Sequence, residues 1–134
     1  MARPPSTHPT DGELEILQVL WQSGPCSLGQ ICNAIRPRRP VATTTVATIL
    51  KVMLEKGLVH RRRTPQGYLW SAKTSRQSTA KGMVRKLVDA VFDGSAQRLV
   101  AHLLESGQLG KAEREELRRW IVAAGEAETD SAKQ

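Results

Sequence analysis

The chain has 134 residues, 20 Lys and Arg against 13 Asp and Glu, and a formal net charge of +7. That length allows one modest domain, or a small domain with an oligomerisation tail, and only five Phe, Tyr or Trp residues leave the core to aliphatic side chains. No apolar run is long enough to span a bilayer, two cysteines make no disulfide framework, and no GxSxG, HExxH, phosphate loop or paired-carboxylate setting supports catalysis. The expectation is a cytoplasmic protein that is not an enzyme, needs no cofactor and does not insert into a membrane.

Residues 1–9, with three prolines, read as a flexible arm. Thr10-Asp11-Gly12-Glu13 fits a capping box, a threonine at the cap with an acid three residues on. The helix it opens carries Leu14, Ile16, Leu17, Leu20 and Trp21 at amphipathic spacing, and Gly24-Pro25 ends it. Ser27-Leu28-Gly29-Gln30 is a second capping box, followed by a short helix presenting Leu28, Ile31 and Ile35. Pro37 and Pro40 bracket a basic break containing Arg36, Arg38 and Arg39.

The third helix buries Val46, Ile49, Leu50, Met53 and Leu54 as one stripe, with Gly57 as its stop. Residues 58–63 and 68–72 read as two strands joined by Thr64-Pro65-Gln66-Gly67, suited to a type I turn. From Arg76 the chain is helical again. One stripe runs through Ala80, Val84, Leu87, Val88, Val91 and Phe92, a second through Leu99, Val100, Leu103 and Leu104, and a third through Leu117, Trp120, Ile121 and Ala124. Asp93-Gly94-Ser95 and residues 107–110 separate them, and Gly125 is expected to end the last before a polar, flexible tail over 126–134.

The fold class is therefore mainly α with a small β-wing: a winged helix-turn-helix over residues 10–73 and a C-terminal helical region over 76–125. Units as small as that region rarely hold together alone, so a homodimer with a shared core is expected, built on Leu99, Val100, Leu103, Leu104, Leu117, Trp120 and Ile121.

Charge is segregated along the chain. Residues 36–86 carry thirteen Lys or Arg and the single acid Glu55, a net of +12, while residues 1–35 sum to −2 and residues 87–134 to −3. A basic block of this kind, coinciding with a helix and wing, is the electrostatic footprint of a nucleic-acid surface. The side of the third helix opposite that stripe shows Thr44, Thr48, Lys51 and Glu55, with Thr43 and Thr45 in the first turn. Threonine is a mediocre helix former. Its hydroxyl suits phosphates or base edges and its methyl suits the thymine methyl in the major groove. The plainer reading is that one threonine caps the helix and others are merely solvated.

Arg61, Arg62 and Arg63 enter the wing, with Arg62 on one face and the other two on the opposite face. They are placed for phosphates or the minor groove, against the alternative of an edge strand protected by charge. Arg38 and Arg39 lead into the recognition helix and are placed to clamp the DNA backbone. Trp21, Tyr68 and Trp70 are expected in core or hinge packing rather than base stacking. Cys32 reads as a small core residue, and Cys26, Cys32, His8, His60 and His102 have no metal-ligand spacing.

The segments ELEILQVLW, QICNAI, TTTVATILKVMLEKGLV, YLW, FDGSAQRLVAHLLES and AEREELRRWI together resemble the penicillinase repressor (BlaI/MecI/CopY) family over about residues 11–122. The Glu-x-x-Ile-x-x-x-x-Trp start and the Thr-Val-x-Thr-[IL]-Leu helix carry the resemblance jointly. It implies a homodimeric repressor on a palindromic operator in double-stranded DNA. In the β-lactam branch of that family a membrane sensor protease triggers cleavage in the C-terminal helices, and in the copper branch a C-terminal cysteine motif senses metal. This chain has no cysteine after Cys32, has Val52 where the family commonly places an arginine, and has His102-Leu103 where the β-lactam repressors carry the cut bond. The resemblance therefore leaves the inducing signal and any upstream sensor open. Two readings compete with it: a winged-helix module for an acidic protein partner, and a thiol- or metal-responsive regulator using Cys26 and Cys32.

Overall fold

The computed structural model describes residues 8–132, with side chains through residue 129. The first seven residues of the expected arm and the last two of the expected tail lie outside the described residues. The elements run α1 (Asp11–Ser23), α2 (Leu28–Ile35), α3 (Thr43–Lys56), β1 (Val59–Thr64), β2 (Gly67–Ala72), α4 (Arg76–Val91), α5 (Ala96–Glu105) and α6 (Lys111–Ala132). Two compact units divide at Val84 and Arg85. None of the described helices is long and apolar enough to cross a membrane.

The first unit is a winged helix. Both expected capping boxes are present: Thr10 accepts from the Glu13 amide while the Glu13 carboxylate accepts from the Thr10 amide, and Ser27 and Gln30 repeat the exchange. These bonds satisfy amides that a helix start leaves without partners. Ile16, Leu17 and Leu20 of α1, Ile31, Cys32 and Ile35 of α2, and Val46, Leu50 and Met53 of α3 meet in one core with Leu58, Val59 and Trp70. The helical stripes read from the sequence are the faces that pack there. Gly57 stops α3 in the left-handed region at φ 79°, its amide donating to Leu54 and the Leu58 amide donating to Met53.

A buried ion pair fastens α3 to α1. Lys56 Nζ lies 2.7 Å from Glu13 Oε1, with only 10% and 4% of the two side chains exposed. Burial alone raises the Glu13 carboxyl, but the Lys56 ammonium and the Thr10 amide outweigh it and hold the group below its ordinary value.

β1 and β2 pair antiparallel, with Arg61 opposite Trp70, Arg62 opposite Leu69 and Arg63 opposite Tyr68. Pro65 and Gln66 form the two-residue tip. Neither has positive φ, and Gly67 takes φ 121° in their place. Cys26 adds a bridge the sequence reading lacks: its amide and carbonyl both bond Trp70, at 2.9 and 2.8 Å. A single paired residue between two helices leaves no alternating pattern to detect.

In the second unit Asp93 and Gly94 turn the chain at φ 51° and 79°, and Ser95 caps α5 by accepting from the Arg98 amide. The Phe92 and His102 rings lie 5.8 Å apart. Here α6 departs from expectation, continuing through Gly125 to Ala132. One glycine in a helix costs only about 1 kcal/mol against alanine, and the strong helix formers Ala123, Ala124, Glu126 and Ala127 surround it. The Thr129 hydroxyl also donates to the Gly125 carbonyl at 3.0 Å.

Candidate nucleic-acid interface

Burying Val46, Leu50 and Met53 fixes the rotation of α3, so its opposite face meets solvent. Thr43, Thr44, Thr45, Thr48, Lys51, Val52 and Glu55 are all exposed there. Thr44, Thr45 and Lys51 carry no intramolecular side-chain bond among the described residues, which leaves two hydroxyls and one ammonium for a ligand. Thr48 differs: its hydroxyl donates to the Thr44 carbonyl at 2.9 Å, leaving its methyl and lone pairs outward.

No threonine caps α3. Ala42 occupies the cap position with no side-chain bond, and Arg36 holds the entry instead. Its Nη2 donates to Thr43 Oγ1 at 2.8 Å and its Nε to the Val41 carbonyl at 3.4 Å. Arg36 is thus a further candidate residue at this surface, one not singled out from the sequence. The available signal was a helix start without a capping residue, preceded by an arginine at the end of α2.

The wing bears the expected alternation. Arg61 lies with its Cζ 4.3 Å from the Tyr68 ring centroid and 5.8 Å from that of Trp70, and Arg63 lies 5.8 Å from Tyr68. Arg62 is on the other face, exposed and without a side-chain partner among the described residues. Such cation–π contacts contribute about 0.5–1 kcal/mol at exposed sites, and they order a guanidinium without consuming its charge. Trp70 is buried as expected, whereas Tyr68 is 37% exposed and serves as the platform under Arg61 and Arg63. The expectation of core packing fails for Tyr68 because the hairpin has already left the core two residues before Trp70.

Arg38 and Arg39 are both exposed in the connection that leads into α3. Arg39 forks onto Glu15 of α1, with Nη2 2.6 Å and Nε 3.1 Å from Oε1, and the carboxylate raises its pKa through hydrogen bonding and charge. The pair occupies Nε and Nη2 and leaves Nη1 as the Arg39 nitrogen for a phosphate. Arg38 instead lines a cavity with Leu14, Trp21 and Arg76.

Cys26 and Cys32 present no exposed thiol. Both are buried and free, the Cys26 thiol donates to the Gly24 carbonyl at 3.3 Å, and burial pushes its pKa up, which favours the unreactive protonated form.

In the second unit α5 buries none of its residues. Leu99, Leu103 and Leu117 are half-buried, and Val100, Leu104, Trp120 and Ile121 are exposed, the last two by 61% and 67%. His102-Leu103 falls inside α5.

Comparison with known proteins extends this picture along the chain. A family model described as penicillinase repressor matches residues 9–123. Transcriptional regulator BlaI of Mycobacterium tuberculosis is 32% identical over 115 residues, covering 83% of this chain and 82% of that protein. Methicillin resistance regulatory protein MecI of Staphylococcus aureus is 20% identical over 109 residues, covering 81% and 89%. The solution structure of monomeric Bacillus licheniformis BlaI in complex with the blaP half-operator aligns at a TM-score of 0.47 and 17% identity, over 58% of this chain and 93% of that one. With a family match that runs from the start of α1 into α6, the chain belongs to the penicillinase repressor family.

Proposed function

We propose that this chain is a homodimeric transcriptional repressor that reads a palindromic operator in double-stranded DNA. The single observation that carries the reading is the exposed, unpartnered face of Thr44, Thr45 and Lys51 on α3, in the same unit as the arginine-loaded wing. α3 enters the major groove and presents those groups to base edges. Arg61, Arg62 and Arg63 bind phosphates or the adjacent minor groove. Thr43, at the first turn, adds amides that favour a phosphate, and Arg36 fixes how that turn is presented. Val52 gives the groove a methyl surface where the resemblance expects an arginine.

The dimer rests on the second unit. Exposed Trp120, Ile121, Val100 and Leu104 form apolar surface that a second copy covers, and two copies give the two-fold symmetry a palindrome mirrors. Such a protein works in the cytoplasm, where the chromosome is, and is not an enzyme. Residues 10–73 form the DNA-binding domain and residues 76–125 the dimerisation domain.

The test combines sedimentation with binding of duplex DNA at graded salt. The reading expects a dimer in solution and an affinity that falls linearly in log–log form with salt. A monomer at micromolar concentration, or an affinity indifferent to salt, overturns it.

A further inference from the structure

A cavity of about 400 Å³ opens between α1, the connection from α2 to α3, and the first turns of α4. Leu14, Trp21, Ala80 and Met83 supply apolar wall, and Arg38 and Arg76 supply two guanidinium groups. No Asp or Glu lines it. Neither arginine is in an ion pair among the described residues, although the adjacent Arg39 is taken up by Glu15. We propose that this cavity is a binding site for a small organic monoanion with a flat apolar body, an aromatic carboxylate being the simplest member of the class.

Three features make the wall a formed site. The Trp21 indole N–H donates to the Thr74 carbonyl at 2.8 Å, which fixes the plane of the ring. The Arg76 guanidinium lies 5.6 Å from the centroid of that ring, so its charge is already held over the apolar surface. Thr79, 8% exposed, has its hydroxyl 3.3 Å from that of Thr74 and stiffens the start of α4. Pockets for small ligands typically measure about 300–1,000 Å³, and this one is in that range, with Gln18, Gln22 and Thr79 adding polar groups beside the two arginines.

The charge pattern selects the ligand. Two like charges on one cavity repel each other, and a carboxylate relieves that repulsion while accepting the forked bonds guanidinium offers. The indole and the Met83 thioether favour a flat ring. A neutral ring leaves the arginines unbalanced, and an inorganic anion leaves the apolar wall wet.

The site is tested on the full chain without DNA, so its failure is separate from any failure of the DNA reading. The probes are 2-naphthoate and its neutral isostere 2-naphthamide, followed by quenching of tryptophan fluorescence and by equilibrium dialysis. The expected result is saturable binding of naphthoate to one site per chain, with the amide at least about tenfold weaker. Arg76→Gln and Arg38→Gln each weaken naphthoate by about tenfold and leave naphthamide unchanged. Both residues are exposed, and either variant alone suffices if the other fails to fold. Absence of saturation up to about 10 mM naphthoate, equal affinity for acid and amide, or indifference of naphthoate to both substitutions overturns the proposal.

Discussion

Replacing Glu13 by alanine removes two interactions at once: the 2.7 Å contact to Lys56 Nζ and the acceptor for the Thr10 amide. Removing one partner of a buried pair costs about 3–5 kcal/mol. Lys56 keeps 10% of its side chain exposed, and its flexible stem can return the ammonium to water, so the low end applies. We predict a loss of about 3 kcal/mol for Glu13→Ala. Glu13→Gln keeps an acceptor for the Thr10 amide and loses the charge, for about 1–2 kcal/mol. Adding Lys56→Met to Glu13→Gln removes the orphaned charge and brings the loss back to within about 1 kcal/mol.

Urea unfolding followed by circular dichroism at pH 7 and fixed protein concentration reads all three. Because the folded carboxyl lies below its ordinary 4.5, the charged form stabilises the fold. That stability is complete above the unfolded value and disappears as pH falls through the folded one. The gap between wild type and Glu13→Gln is therefore flat from about pH 5 to 8 and shrinks in more acid solution. A loss under about 0.5 kcal/mol for Glu13→Ala, a double variant no better than the single one, or a gap that widens on acidification refutes the reasoning.

Other predictions concern the binding surfaces. Arg61→Ala or Arg62→Ala weakens binding to all duplexes and reduces the salt slope by about one per lost phosphate contact; titrations at several salt concentrations measure it, and unchanged affinity removes the wing from the interface. Thr44→Ala or Lys51→Ala shifts sequence preference by about 1–3 kcal/mol at one operator position, seen by comparing affinities across single-base variants. Trp120→Glu raises the dissociation constant of the dimer by at least about tenfold in sedimentation equilibrium, and an unaltered dimer places the contact elsewhere.

What could be read from the sequence was local or periodic. The capping boxes at Thr10 and Ser27 span three residues, and the α3 stripe from Val46 to Leu54 repeats at helical spacing, so both stand out in a linear string. The parity of Arg61, Arg62 and Arg63 follows from strand geometry alone. Contacts that join distant positions could not be read. Arg39 and Glu15 are 24 residues apart, and nothing near Arg39 shows that its charge is taken. Cys26 pairs with Trp70 through backbone atoms that carry no side-chain signature. Tyr68 and Trp70 look alike in sequence, and only the point where the hairpin leaves the core separates a platform from a core residue. Gly125 illustrates the opposite error, a local stop signal overridden by helix formers on both sides.

Operator reading is decided by duplexes that the 134-residue chain recovers from a random pool. A dimer on its operator enriches a palindrome whose half-sites lie about one or more helical turns apart, with enrichment lost for Thr44→Ala combined with Lys51→Ala. A pool that remains random contradicts DNA reading and favours an acidic protein partner for the basic face, and a single unrepeated half-site contradicts the two-fold dimer on the operator.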